Sequence, residues 1–164
     1  MTLELRPGVS GWWLRVVIGL LGVLVLVLLT AQGLGFSMLI VFGVVVAVAA
    51  ALPSSPAMTV LIGGAAIATA FMDGTDVSVE AVLLIPVLHL GHVLSAIAGV
   101  LPIDSRLHLS AFRRPLRRYL LIQIGVLALV AVAVLLPAGQ VDPIIEVAGL
   151  LAAAGVALLA LPRN

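Results

Sequence analysis

Cysteine and lysine are both missing from this chain of 164 residues, and charge of either sign is scarce. Without cysteine there is no disulfide, no thiolate nucleophile and no Cys-ligated zinc or iron–sulfur site, and the redox compartment stays open. Without lysine there is no phosphate-cradling loop of the kind whose lysine reaches the terminal phosphates. Charged residues make up 9% of the chain, against roughly a quarter in an average soluble domain. Hydrophobic residues make up 63%, and the mean hydropathy is +1.37. No soluble fold of this size can hide that much apolar surface, so the surplus faces lipid. The composition predicts one all-α membrane domain covering residues 1–164, multi-pass, in the cell (plasma) membrane.

Six apolar runs, at about 12–29, 35–52, 57–72, 79–101, 119–136 and 144–161, are read as transmembrane helices. Trp12 and Trp13 stand where indole rings favour the interface. Arg6 and Arg15 ahead of the first run mimic a signal peptide. The following Thr30-Ala31-Gln32-Gly33 offers no A-x-A cleavage pattern, so an uncleaved span is expected. Pro53, Pro102, Pro137 and Pro162 stop helices. Ser55 with Pro56, and Asp142 with Pro143, read as cap plus first helical position, and Ser78 or Asp76 as the cap of the fourth span. Pro86 alone lies inside a span, where it removes a backbone donor and predicts a kink.

All eight basic residues are arginines. With six crossings and a cytoplasmic N-terminus, all eight fall inside, while Asp73, Asp76, Glu80, Asp142 and Glu146 fall outside. That is the bias that sets orientation. If the short third span failed to cross, the N-terminus and the Arg106–Arg118 loop would face opposite sides. Both ends are therefore expected in the cytoplasm. Short loops predict hairpins of spans one with two, three with four and five with six. Gly64 with Ala68, Ala66 with Ala70, and Gly149 with Ala153 are small-residue pairs that let helix backbones approach. Small, proline-opened third and sixth spans also match an inverted repeat.

Val79–Leu101 is the one apolar run with ionisable groups near its middle, His89 and His92. They are three apart and share a helix face. Ser95 extends the stripe, and Gln123 is read at the depth of Ser95. A group at that depth is a functional hypothesis: proton relay, metal site or haem ligand. The alternative is a pair of neutral imidazoles, hydrogen-bonded inside the bundle to carbonyls freed by Pro86 or to Gln123 and Ser95. A catalytic zinc wants three protein ligands, and no carboxylate sits nearby. Haem needs axial ligands from opposite faces. No metal or cofactor is therefore expected.

The loop 102–118 carries Arg106, Arg113, Arg114, Arg117 and Arg118. These either hold the loop inside or engage anionic lipid or a cytoplasmic protein. There is no Ser/His/Asp set, no G-x-S-x-G and no H-E-x-x-H. No enzymatic activity is expected, and no nucleic-acid partner.

The stretch HLGHVLSAIAGVLPIDSRLHLSAFRRPLRRYLLIQ, from His89 to Gln123, resembles small actinobacterial membrane proteins. In those, a histidine-bearing span leads to a cytoplasmic loop with an R-x-x-L-x-A-x-x-x-P-x-R-R core. They are encoded beside a MoxR-type AAA+ ATPase and a DUF58 protein. The resemblance implies an accessory or assembly subunit with an AAA+ ATPase or DUF58-type partner, and it carries over no catalytic residue. The alternative function is a small transporter or proton-conducting subunit using His89 and His92.

Overall fold

The computed structural model describes residues 8–72 and 78–135. The expected sixth span, the Gly149/Ala153 pair and the turn at 73–76 lie outside the described residues. The chain divides into two compact units, Met1–Leu127 and Ala128–Asn164. The described part of the second is the last stretch of one helix.

Five α-helices are described: α1 (Gly11–Ala31), α2 (Phe36–Ala51), α3 (Ala57–Met72), α4 (Val79–Gly99) and α5 (Arg113–Leu135). Their ends follow local chemistry. Ser10 Oγ accepts from the Trp13 amide and Ser78 Oγ from the Ala81 amide, so each serine caps its helix. Ser55 Oγ accepts from the Ala57 amide at the start of α3. α1 closes with Leu34 N–H on the Leu29 carbonyl and Gly33 N–H on the Thr30 carbonyl. Gly33 has φ +98°, a left-handed conformation that glycine takes without a Cβ penalty. α4 runs unbroken through Pro86.

Among the described residues three helical stretches, Gly11–Ala31, Val79–Gly99 and Leu109–Val132, are long and apolar enough to cross a membrane. The 21 residues of α1 and of α4 give about 31 Å at 1.5 Å per residue, the thickness of a bilayer core. The 16 residues of α2 and of α3 give about 24 Å.

α1 and α4 make the broadest helix pairing. The buried positions of α1 are Gly11, Leu14, Ile18, Gly22, Val25 and Leu29. Those of α4 are Leu84, Leu88, Gly91, Ser95 and Ala98. Both sets advance in steps of three and four, the spacing of one helix face. The outer faces are equally apolar, with Leu20, Val23 and Val27 on α1 and Ile67 and Phe71 on α3 all exposed. A helix apolar on every side is at home in lipid. Close approaches use glycine. A Cβ at Gly22 would collide with Val46 of α2, one at Gly64 would press on the Phe42 ring at 3.1 Å, and one at Gly91 would meet Met58 at 3.2 Å. The Gly64/Ala68 pair thus faces α2, while Ala66 and Ala70 point outward. α3 packs on α4 only slightly, so the third and fourth spans do not form the close hairpin that loop length suggested.

Four helices alternate in direction, and specific contacts mark the two poles. At one pole the Gly11 amide donates to the Ser105 carbonyl at 3.0 Å. There, too, Gly99 lies against the backbone of Ser54 in the turn between α2 and α3. At the other pole Thr69 Oγ1, near the end of α3, donates to Gln32 Oε1, just past the end of α1, at 3.1 Å. The first pole is also tied by two short strands, β1 (Val9–Ser10) and β2 (Arg106–Leu107), paired antiparallel with Val9 opposite Leu107. Gly8 and Gly11 permit this strap. A Cβ at Gly11 would sit 2.5 Å from the Pro102 carbonyl oxygen, and one at Gly8 would sit 2.9 Å from that of Leu107.

The basic segment is more ordered than a loop. After β2, a 3-10 turn covers Leu109–Phe112, capped by His108, whose Nδ1 accepts from the Ser110 amide and hydroxyl. α5 then starts at Arg113, six residues before the expected start at 119. Pro115 falls in its first turn, where a helix has spare donors and a missing N–H costs nothing. The expected loop 102–118 therefore ends at Phe112, and Arg113, Arg114, Arg117 and Arg118 form the first two turns of α5.

Candidate functional site

The first twenty residues of α5 bury one side chain, and it is polar: Gln123, 5% exposed. Its Nε2 donates to His89 Nδ1 at 2.6 Å. An amide nitrogen can only donate, so the neutral His89 ring carries its proton on Nε2. One turn earlier on α5, the Tyr119 hydroxyl donates to the Pro86 carbonyl at 3.1 Å. The Tyr119 and His89 rings lie 5.1 Å apart, tilted. Residues four apart on α5 thus clasp residues three apart on α4, each pair sharing a helix face. Gln123 Oε1 is buried without a partner among the described residues.

His89 stands ten positions from each end of α4, at its midpoint. Gln123 stands ten positions from the start of α5. Both helices meet the strapped pole, so the two side chains fall at one depth. Gln123 was expected level with Ser95; the earlier start of α5 carries it deeper. Ser95 does not join the stripe. It is 3% exposed, lies among the buried positions of α4, and its hydroxyl has no partner among the described residues. Steps of three residues drift by about 60° around a helix, so two steps from His89 turn Ser95 toward the core.

His92 is exposed and opens onto a groove of about 650 Å³ between α4 and α5. Arg114 and Arg118, one turn apart on α5, line the same groove together with Val93, Ile97 and Ile122. No acidic side chain among the described residues pairs with either guanidinium. A second cavity of about 290 Å³ shares Val93, Ile97 and Pro115 with this groove and is otherwise lined by apolar residues of β1, α1, α4, α5 and the 3-10 turn, such as Leu14, Leu94 and Phe112. Arg113 and Arg117 lie on the neighbouring face of α5, beside Ser110. Arg106, in β2, is exposed.

No family model, curated protein or solved structure matches this chain.

Of the intramembrane candidates, then, His89 and Gln123 are brought together, His92 faces the groove beside them, and Ser95 is turned away. Among the described residues no three of His, Asp and Glu converge on a point that could hold a metal ion. Arg113 and Arg114 stand in the first turn of α5, the end of a helix that disfavours positive charge by about 0.3–1 kcal/mol per residue. Helix stability does not call for them there, which directs attention to topology and to anionic ligands. Tyr119 went unread in the sequence. It is the single tyrosine of the chain, and its place four residues before Gln123 was the available signal.

Proposed function

We propose that the chain is a six-span, non-enzymatic accessory or assembly subunit of the plasma membrane, with both ends in the cytoplasm, that engages a cytoplasmic protein through its arginine-bearing pole. The observation that carries this reading is the strap. β1 and the Gly11 amide bind the start of the chain to the Arg106 segment, giving a formed surface from which Arg106, Arg113 and Arg117 project into solvent. The shared pole also suits the arginine bias of the sequence, which puts these groups on the cytoplasmic side. Helices of 16 residues cross with local thinning of the bilayer, at a modest cost per Å of mismatch. The resemblance of residues 89–123 suggests an AAA+ ATPase or DUF58-type protein as partner.

The test is capture in detergent with the full chain as bait. An AAA+ ATPase or DUF58-type protein should copurify with the wild type and be lost from an Arg106→Gln/Arg113→Gln/Arg117→Gln variant. Recovery of the chain alone, or equal capture by the variant, would overturn the reading.

A conducting role has one observation in its favour, the groove that leads from the basic pole to His92 beside His89. Beyond His89, however, the same side of α4 carries Val82, Ile85 and Pro86, which offer no side chain to relay a proton. His89 is better explained as the acceptor that holds α5 against α4.

A further inference from the structure

We infer that the groove between α4 and α5 is a binding site for an anionic phospholipid, with the phosphate on Arg114 and Arg118 and an acyl chain over Val93, Ala96 and Ile97. The inference rests on reading the strapped pole as the cytoplasmic interface. Its chemistry comes from the groove itself. Two guanidiniums one turn apart, without acidic partners among the described residues, make a paired donor surface suited to phosphate. Below them the walls become apolar, and the shared residues Val93, Ile97 and Pro115 lead into the wholly apolar cavity beside Leu14 and Leu94.

Depth selects the ligand. From the end of α4 at Gly99 to His89 is ten residues, about 15 Å, or one leaflet of a bilayer core. A lipid matches that profile: charge at the helix ends, ester carbonyls a little below, hydrocarbon beneath. His92 lies seven residues in from Gly99, about 10 Å, at the depth of the acyl chain and below the ester carbonyls. Free phosphate would leave the apolar walls uncovered, and a soluble peptide would have to enter the hydrocarbon layer. The inference divides the arginines by face. Arg114 and Arg118 serve the lipid, while Arg113 and Arg117, on the neighbouring face of the helix, stay free for a protein. Basic pockets between helices on the cytoplasmic side are a known route to anionic headgroups.

The experiment measures thermal unfolding of the full chain in neutral detergent, with added phosphatidylglycerol, phosphatidylcholine or inorganic phosphate. Phosphatidylglycerol should raise the unfolding temperature, and the other two should not. Arg114→Gln/Arg118→Gln should weaken the lipid effect roughly 30-fold in apparent affinity, at about 1 kcal/mol per arginine. Arg113→Gln/Arg117→Gln should leave it within about threefold. Ala96→Trp, which fills the groove and keeps every charge, should weaken it as well. Equal protection by inorganic phosphate would reduce the site to a bare anion site and overturn the inference. So would equal protection by phosphatidylcholine, or equal loss in the two arginine pairs. Orientation plays no part in detergent, so an error there would surface in labelling of intact membranes and leave this result standing.

Discussion

Gln123 donates its side-chain amide to His89 Nδ1 at 2.6 Å, midway along α4, and this bond joins α5 to the rest of the described bundle. Gln123 is the one buried side chain in the first twenty residues of α5, so the link bears more on the helix's position than a single hydrogen bond would elsewhere. Interhelical hydrogen bonds in membranes contribute about 0.6 kcal/mol on average and at most about 1.7. His89→Leu and Gln123→Leu should each destabilise the protein. A double-mutant cycle by reversible unfolding in mixed micelles should return a coupling of about 0.6–1.7 kcal/mol. A coupling near zero would mean the two residues do not hold α5.

Two glycines in the spans should respond in opposite ways. Gly22→Ala puts a methyl group into Val46 and should cost about 1–3 kcal/mol, as overpacking does. Gly63→Ala meets nothing within 4 Å among the described residues. It should be neutral or stabilise by up to about 1 kcal/mol, because alanine is the better helix former. Unfolding free energies of both variants check the contrast. Equal effects would remove Gly22 from the α1–α2 contact.

Gly11→Val should open the strap, since its Cβ would stand 2.5 Å from the Pro102 carbonyl oxygen. With no lysine in the chain, trypsin cuts only after arginine. Cleavage after Arg106 should speed up several-fold in the variant under native conditions, as local opening becomes more populated. Unchanged cleavage would mean β1 and β2 do not protect each other.

The lack of native cysteine makes single-cysteine labelling clean. Ser55→Cys and Ser110→Cys should react from the cytoplasmic side, and Asp76→Cys from the other side. Ser110→Cys and Asp76→Cys reacting from one side would sink the six-span orientation.

The double variant His89→Leu/His92→Leu separates the two functional readings. An accessory subunit should keep its partner in detergent capture, while a proton-conducting subunit should lose flux in reconstituted vesicles. Loss of vesicle flux with partner binding unimpaired would promote the conducting reading.

Most helix boundaries were readable in the residues because they are written in punctuation: Pro53 and Pro56, the Ser78 cap, and Pro102. The start of α5 was not. Four arginines around a proline read as a loop, yet Pro115 suits a first turn and Arg113–Arg118 continue straight into the span. Which side of α1 is buried was also hidden. Val17, Leu20 and Val27 look outward and Leu14, Ile18 and Val25 look inward, and hydrophobicity cannot tell them apart when lipid waits on the outside. The pairing of α1 with α4 depends on that hidden face. At the candidate site the two histidines and Gln123 stood out by polarity alone. Their depth match followed only from where α5 begins, and the Tyr119 bond to Pro86 has no signature in the residues beyond the four-residue spacing of Tyr119 and Gln123.

Ser10 and Arg106 are neighbours across β1 and β2, although ninety-six positions separate them along the chain. The tie cannot close until the ribosome has released residue 107, by which time α4 has been made. Whatever recognises β1 and Arg106 together therefore distinguishes a completed core from a nascent fragment.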